Sequence, residues 1–183
     1  RHPGGRPAVG ALGRPTDSEA ILVKSVQRVR DALAEYGLDL DMAVRELPQS
    51  TRTAPQAAQA IGCDLGAIVK SLLFLADDMP VLVLVAGDRR ADPIRLRAVL
   101  GASQVAMANA DRVRAETGFT IGGVPPVGHT QPLRVYVDRS LSRFETVWAA
   151  AGGPNAVFPI HCATLVAITG GQVADVVAEE GAP

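Results

Sequence analysis

Two apolar runs separated by four residues dominate the pattern of this chain. The first, Ala-Ile-Val-Lys-Ser-Leu-Leu-Phe-Leu-Ala at 67–76, contains one charge, Lys70. As a strand it puts Ile68, Lys70, Leu72 and Phe74 on one face and Val69, Ser71, Leu73 and Leu75 on the other. Both faces are apolar, so the strand is expected inside the fold. The second run, Val81–Ala86, follows Asp77-Asp78-Met79-Pro80, and the pair predicts a buried β-hairpin with Lys70 on it.

Around the hairpin the hydrophobic period changes. Val26, Val29, Ala32, Leu33 and Tyr36 recur at helical spacing and Gly37 stops them, which predicts an amphipathic helix from Ser25. Met42–Leu47 alternates and closes at Pro48, as a short strand does. Thr53 offers an N-cap to a helix with Pro55 early, alanines at 54, 57, 58 and 60, and Gly62 at its end. Asp92-Pro93 opens a helix through Leu100, stopped by Gly101, and Asp111 opens another that ends at Gly118, with a short strand over Gln104–Met107 between them. Leu133–Val137 returns to strand and ends at Asp138. Val147–Ala151 and Ala156–Ile160 flank Gly152-Gly153-Pro154-Asn155 as a second hairpin, although Glu145–Ala151 alone also fits a helix. Thr164–Thr169 fits either element, Gly170-Gly171 ends it, and Val173–Val177 reads as a last strand.

Residues 1–18, rich in Gly, Pro and Arg, are expected to form a flexible tail and residues 19–180 one domain. A net charge of −1 argues against coating nucleic acid along the whole surface but leaves room for contact with an RNA end. The basic stretch Arg89, Arg90, Arg95 and Arg97, interrupted by Asp88 and Asp92, is either a solvated helix face or such a contact. Cys63 and Cys162 have no metal-ligand spacing and no disulfide-scaffold density, which points to a reducing cytoplasm. No apolar run approaches the ~20 residues of a membrane helix. There is no Gly-x-Gly-x-x-Gly after a strand, no phosphate loop and no Gly-x-Ser-x-Gly, and His2, His129 and His161 lack zinc spacing. Neither a metal nor a cofactor is expected.

Two features carry candidate chemistry. An unpaired ammonium inside apolar surroundings costs several kcal/mol, so Lys70 must reach water, an acid or a ligand. The bland alternative is edge protection, with the stem lying over apolar neighbours and the head in water. The second feature is the loop 118–132, with four glycines and three prolines, a composition for a shaped loop in which proline fixes φ and glycine frees it.

Taken in order, Arg52-Thr53-Ala54 through Ala57-Ala58, Ile68-Val69-Lys70-Ser71-Leu72, Gly122-Gly123-Val124-Pro125-Pro126-Val127-Gly128-His129 and Val137-Asp138 resemble the YbaK/ProX family of aminoacyl-tRNA deacylases, relatives of the editing domain of bacterial prolyl-tRNA synthetases. The resemblance spans roughly residues 25–178. It implies a compact α/β domain around a mixed, partly barrel-like sheet surrounded by helices, and hydrolysis of an amino acid wrongly attached to a tRNA. It places the key lysine on Lys70, the Gly-x-x-x-Pro loop on Gly122–Pro126, and further site residues on His129 and Asp138. Ser71 falls where members differ, a position that bears on which amino acid fits. Thr53, Gly123, Val124, Pro125 and Gly128 complete the expected substrate-binding set. The implied partners are the 3′ end of a mischarged tRNA and a prolyl-tRNA synthetase, and the ribose hydroxyl beside the ester is implied to help activate the water. Lys70 would anchor the terminal phosphate or stabilise the oxyanion. The competing reading is a module of the same fold that binds a tRNA end or an amino-acid-like ligand without catalysis. His129 and Asp138 also have bland readings, a loop histidine bonded to backbone and a strand-exit cap.

Overall fold

The structure, a computed structural model, describes residues 13–38 and 44–179. Most of the expected tail, residues 1–12, and the start of the Met42–Leu47 strand lie outside the described residues. The first helix, α1 (Asp17–Ala34), begins inside the segment expected to be tail. Thr16 and Glu19 form a capping box that fixes this start, and Ile21 and Val23 stay exposed, so no buried stripe announced the first two turns. Only Val29 and Leu33 of α1 are fully buried.

Strand β1 (Arg45–Glu46) is followed by α2 (Ala54–Ile61), capped as expected by Thr53 and ended by Gly62 in the left-handed region. The hairpin consists of β2 (Val69–Ala76) and β3 (Met79–Ala86), in continuous register from Val69↔Ala86 to Ala76↔Met79. Its connection is two residues, not four: Asp77 and Asp78 take φ of 48° and 66°, the left-handed pair of a tight hairpin turn. Pro80 is therefore inside a strand, paired with Leu75. Next come α3 (Pro93–Leu100), β4 (Val105–Met107), α4 (Ala110–Thr117) and β5 (Arg134–Asp138), with α4 capped by Asn109 while Asp111 sits in its first turn. The second hairpin is β6 (Thr146–Ala150) with β7 (Ala156–His161). The ambiguous segment is a helix, α5 (Cys162–Thr169), which buries Cys162, Leu165 and Ile168, and β8 (Gln172–Ala174) closes the order. Beyond β8, Val177 makes only a bridge to Ala91.

The strands form two sheets, β4-β2-β3-β5-β8 and β1-β7-β6. The larger is mixed: β5 runs parallel to β3 and β8, while β2 is antiparallel to both its neighbours. A bridge between Ile68 and Trp148 links the two sheets at the start of β2. Both faces of β2 and β3 contribute to the core, as the pattern predicts, although Lys70, Ser71 and Leu72 are only partly buried and Met79 is exposed. Val69, Leu73, Leu82 and Leu84 join a core with α1, α5 and the second hairpin, while Phe74, Val81, Val83 and Val85 pack with Leu96 of α3 and Tyr136. No helix among the described residues is long and apolar enough to cross a membrane.

Candidate active site

β2 is interior for only part of its length. β4 pairs with it at Phe74–Ala76 and Trp148 bridges Ile68, so on the side away from β3 no strand among the described residues pairs with Lys70, Ser71 or Leu72. A cavity of about 310 Å³ opens along this gap. Its walls are the entry to α2, the loop at Ile121–Val124, β6 at Trp148 and Ala150, and the Gly153-Pro154 turn. Its polar side chains include Lys70, Arg52, Ser71, Thr53 and Thr51; no carboxylate or imidazole among the described residues lines it. The rest of the wall is mainly apolar, including Ile68, Leu72, Val124 and Trp148.

Lys70 is half-buried and donates to the backbone carbonyl of Arg89. No carboxylate pairs with it among the described residues, and two of its three donors remain for a ligand. Burial pushes its pKa below the ordinary lysine value, the Arg90 guanidinium adds to this, and Asp88 opposes it. The carbonyl that holds Lys70 is itself fixed, because Arg143 grips the Asp88 carboxylate at 2.6 and 3.0 Å. That grip also holds the Asp88 carboxyl below its usual range.

Five of the expected site residues, Lys70, Ser71, Thr53, Gly122 and Val124, line this one cavity. The Thr53 hydroxyl accepts from the Gln56 N–H, so its side chain serves α2. The Ser71 hydroxyl oxygen is sealed from solvent and makes no hydrogen bond. Gly122 has φ 92° and open space where a Cβ would stand, whereas a Cβ on Gly123 would meet the Gly153 backbone at 3.0 Å. The loop crosses the wall at this glycine contact.

The remaining expected residues lie elsewhere. Pro125 is buried, and Pro126, Gly128 and His129 line a different cavity, about 630 Å³, beside Arg28, Asp31 and Glu35 of α1. His129 shares no cavity wall with Lys70; its Nε2 bonds the Pro125 carbonyl at 2.8 Å and its ring meets Phe119 edge-on. Burial lowers its pKa, so the neutral imidazole is the folded form at pH 7, with Nε2–H as donor. Asp138 is 2% exposed, and its two oxygens accept from the Ser140 and Val176 N–H groups, tying the end of β5 to the chain beyond β8. It joins two segments of the fold and does not line the Lys70 cavity.

Two expected results follow from these placements. His129→Ala destabilises the protein by about 1–2 kcal/mol at pH 7 through the lost bond and packing. Because the folded-state pKa is depressed, this stability is present above the unfolded value near 6.5 and is lost as pH falls through the folded pKa, so the gap between variant and wild type narrows between pH 7 and 5 in denaturant titrations. Asp138→Ala leaves two N–H groups without their acceptor and costs about 2–4 kcal/mol of stability. Below its melting transition its turnover stays within a few-fold of wild type, which a rate assay at reduced temperature checks.

The pattern along the chain did not point to Trp148, Ala150 or the Gly153-Pro154 turn as site walls. The signal available for Trp148 was its being the only tryptophan in the chain, in a strand beside a Gly-Gly-Pro turn. Arg45 lies 4.9 Å from its ring centroid.

The fold is a mixed α/β domain in which a half-buried lysine lines a mainly apolar cavity. The chain belongs to the aminoacyl-tRNA editing domain family, which it matches over residues 48–168. It is 36% identical over 137 residues to the uncharacterized protein YwhH of Bacillus subtilis, covering 74% of this chain and 85% of that one. It is 36% identical over 100 residues to a proline–tRNA ligase of Nitratidesulfovibrio vulgaris, covering 54% of this chain but 17% of the ligase. Among solved structures it superposes with TM-score 0.79 and 45% identity on a candidate trans-editing enzyme for prolyl tRNA synthetase, over 85% of this chain and 98% of that one.

Proposed function

We propose that the protein hydrolyses the ester that joins a wrongly attached small amino acid to the 3′ end of a tRNA, most directly a tRNA charged by prolyl-tRNA synthetase. The observation that carries this reading is Lys70, a half-buried lysine that lines a mainly apolar cavity, its ammonium bonded to one backbone carbonyl and in no ion pair with a carboxylate among the described residues. An aminoacyl ester is already activated, so its hydrolysis needs a placed water and stabilised negative charge more than a strong nucleophile. Lys70 supplies the charge, towards the terminal phosphate or the developing oxyanion. Arg52, exposed at the rim with no side-chain partner among the described residues, adds a second cation for the tRNA end. Gly122 leaves open space for close approach of the substrate to backbone.

Among the described residues the cavity walls carry no carboxylate or imidazole to act as general base, which fits activation of the water by the ribose hydroxyl beside the ester. The apolar walls at Leu72, Val124 and Trp148 suit a small aliphatic side chain. A second, hydrolytic sieve is needed because a synthetase pocket separates amino acids differing by one methylene by only about 1–3 kcal/mol. The test is a panel of tRNAs charged with alanine, cysteine, serine, threonine and proline, incubated with the purified protein. Release from at least one mischarged tRNA, with prolyl-tRNA spared, is expected. Measurable tRNA binding with no release from any of them would make the protein a binding module instead.

A further inference from the structure

We infer that the aminoacyl group of the substrate docks on the uncovered edge of β2 as a one-residue strand, its α-ammonium donating to the Ser71 carbonyl oxygen and its ester carbonyl accepting from the Ser71 backbone N–H. This rests on the deacylase reading and adds the group of the substrate that is recognised and the atoms that recognise it.

Gly87 N–H donates to the Ile68 carbonyl at 2.7 Å, so that carbonyl faces the β3 side, while the Ile68 N–H donates to the Leu65 carbonyl. Ala108 N–H donates to the Leu73 carbonyl at 3.0 Å, so those of Leu73 face the β4 side. The register with β3 is unbroken from Val69 to Ala76, and backbone groups of successive strand residues alternate in direction. Ser71, two residues before Leu73, therefore turns both its N–H and its C=O away from β3, toward the gap. Nothing among the described residues meets them there: β4 reaches back only to Phe74, the bridge from Trp148 stops at Ile68, and the loop at Ile121–Val124 sends no hydrogen bond to β2. Nine-tenths or more of buried backbone polar groups in folded proteins have partners, so a donor and an acceptor left side by side in a cavity wall await a ligand or water.

The geometry selects the ligand chemistry. In a hydrogen-bonded antiparallel pair, one residue offers its N–H and C=O to the C=O and N–H of the residue opposite. An aminoacyl ester carries the same two groups on either side of one carbon, an ammonium donor and a carbonyl acceptor. A simple acyl ester carries only the carbonyl. The neighbouring residue, Lys70, lines the same cavity, so the acyl group seated at Ser71 lies within walls to which that lysine contributes. Cavity recognition thus extends to the α-amino group that every amino acid shares, and the apolar walls are left to sort side chains.

The experiment compares alanyl-tRNA with propionyl-tRNA, which differ only in the α-amino group, using the intact protein. Each enzymatic rate is divided by the spontaneous hydrolysis rate of the same ester, because an α-ammonium activates an ester by itself. The normalised kcat/KM is expected to be roughly 10- to 100-fold higher for the alanyl ester, the range for a hydrogen bond to a charged group. In parallel, Ser71→Pro removes the N–H at a strand edge that faces out of its sheet, where proline is tolerated, while Ser71→Ala keeps it. The proline variant is expected about 10-fold below the alanine variant in kcat/KM. Thermal unfolding of both verifies folding, and should the proline variant not fold, the wild-type comparison of the two esters decides alone. Equal normalised rates for the two esters would overturn this inference and leave the deacylase reading intact. No hydrolysis of any mischarged tRNA in the panel would overturn both.

Discussion

Lys70→Ala is expected to release an amino acid from a mischarged tRNA about 100- to 1,000-fold more slowly than wild type, the cost of removing one preorganised group that stabilises charge in a transition state. The fold should survive the change. Lys70 is half-buried, its one hydrogen bond is to the Arg89 carbonyl, and the surrounding residues are apolar, so alanine removes an expensive charge from a wall that tolerates a methyl group. Lys70→Arg is not a rescue, because a planar guanidinium is wider than an ammonium and does not fill the same bonding geometry. The pH dependence carries the same signature. Burial and Arg90 lower the lysine pKa, and the ammonium exists only below that pKa. Enzymatic release, corrected for spontaneous hydrolysis, should therefore decline on the alkaline side before the ordinary lysine value of about 10.4 is reached. In the alanine variant that decline is absent. A variant that folds and keeps wild-type rates would remove Lys70 from the chemistry.

Gly152→Ala should lower the melting temperature by about 10 °C and depress turnover even below the transition. The site is fully enclosed at a φ of 94°, a backbone conformation L side chains rarely adopt, and a Cβ there would stand 2.7 Å from the Ser25 carbonyl oxygen and 3.0 Å from Val29 Cγ2. Backbone strain of about 1–3 kcal/mol and overpacking of about 1–3 kcal/mol act together. For a domain of this size each kcal/mol moves the midpoint by about 2–4 °C. The effect on rate comes from the next contact. The Gly152-Gly153 turn supports α1 on one side and lies against Gly123 on the other, and Gly123 adjoins the cavity-lining Gly122. Pushing α1 off the turn shifts the loop that forms the cavity wall. Gly101→Ala is the contrast: the conformation is also left-handed, at φ 62°, but the Cβ would enter open space, so only about 1–2 kcal/mol of strain is expected and no loss of rate beyond it. Thermal unfolding together with rates measured below the lower midpoint separates the two glycines.

The hairpin carrying Lys70 was legible in the sequence because both faces of each run are apolar and a turn signal divides them. The turn's length was not, since Met79 and Pro80 look like loop residues and only the left-handed Asp77-Asp78 pair shows that they are strand. Lys70 stood out as one charge in an apolar run, and the same pattern left edge protection open as a second reading. What sequence could not supply was the end of β4 at Phe74, which turns the first half of an interior strand into an edge and creates the cavity. Neighbours in a loop are not neighbours in space either. Gly122 and Pro126, four positions apart, line different cavities because the chain passes through the wall between them. His129 and Asp138 took the structural roles that isolated loop histidines and strand-exit aspartates usually take, bonding Pro125 and joining β5 to the chain after β8. Trp148 and the Gly153-Pro154 turn come from a hairpin far along the chain, and no local pattern ties them to Lys70.

Single-turnover release of a small amino acid from a mischarged tRNA, measured for the wild-type protein against the spontaneous rate under the same conditions, tests the central claim most directly. Release at least about 100-fold above the spontaneous rate is expected, as placement and charge stabilisation together supply. Release at the spontaneous rate across the whole panel of tRNAs, from protein shown to be folded, would contradict it.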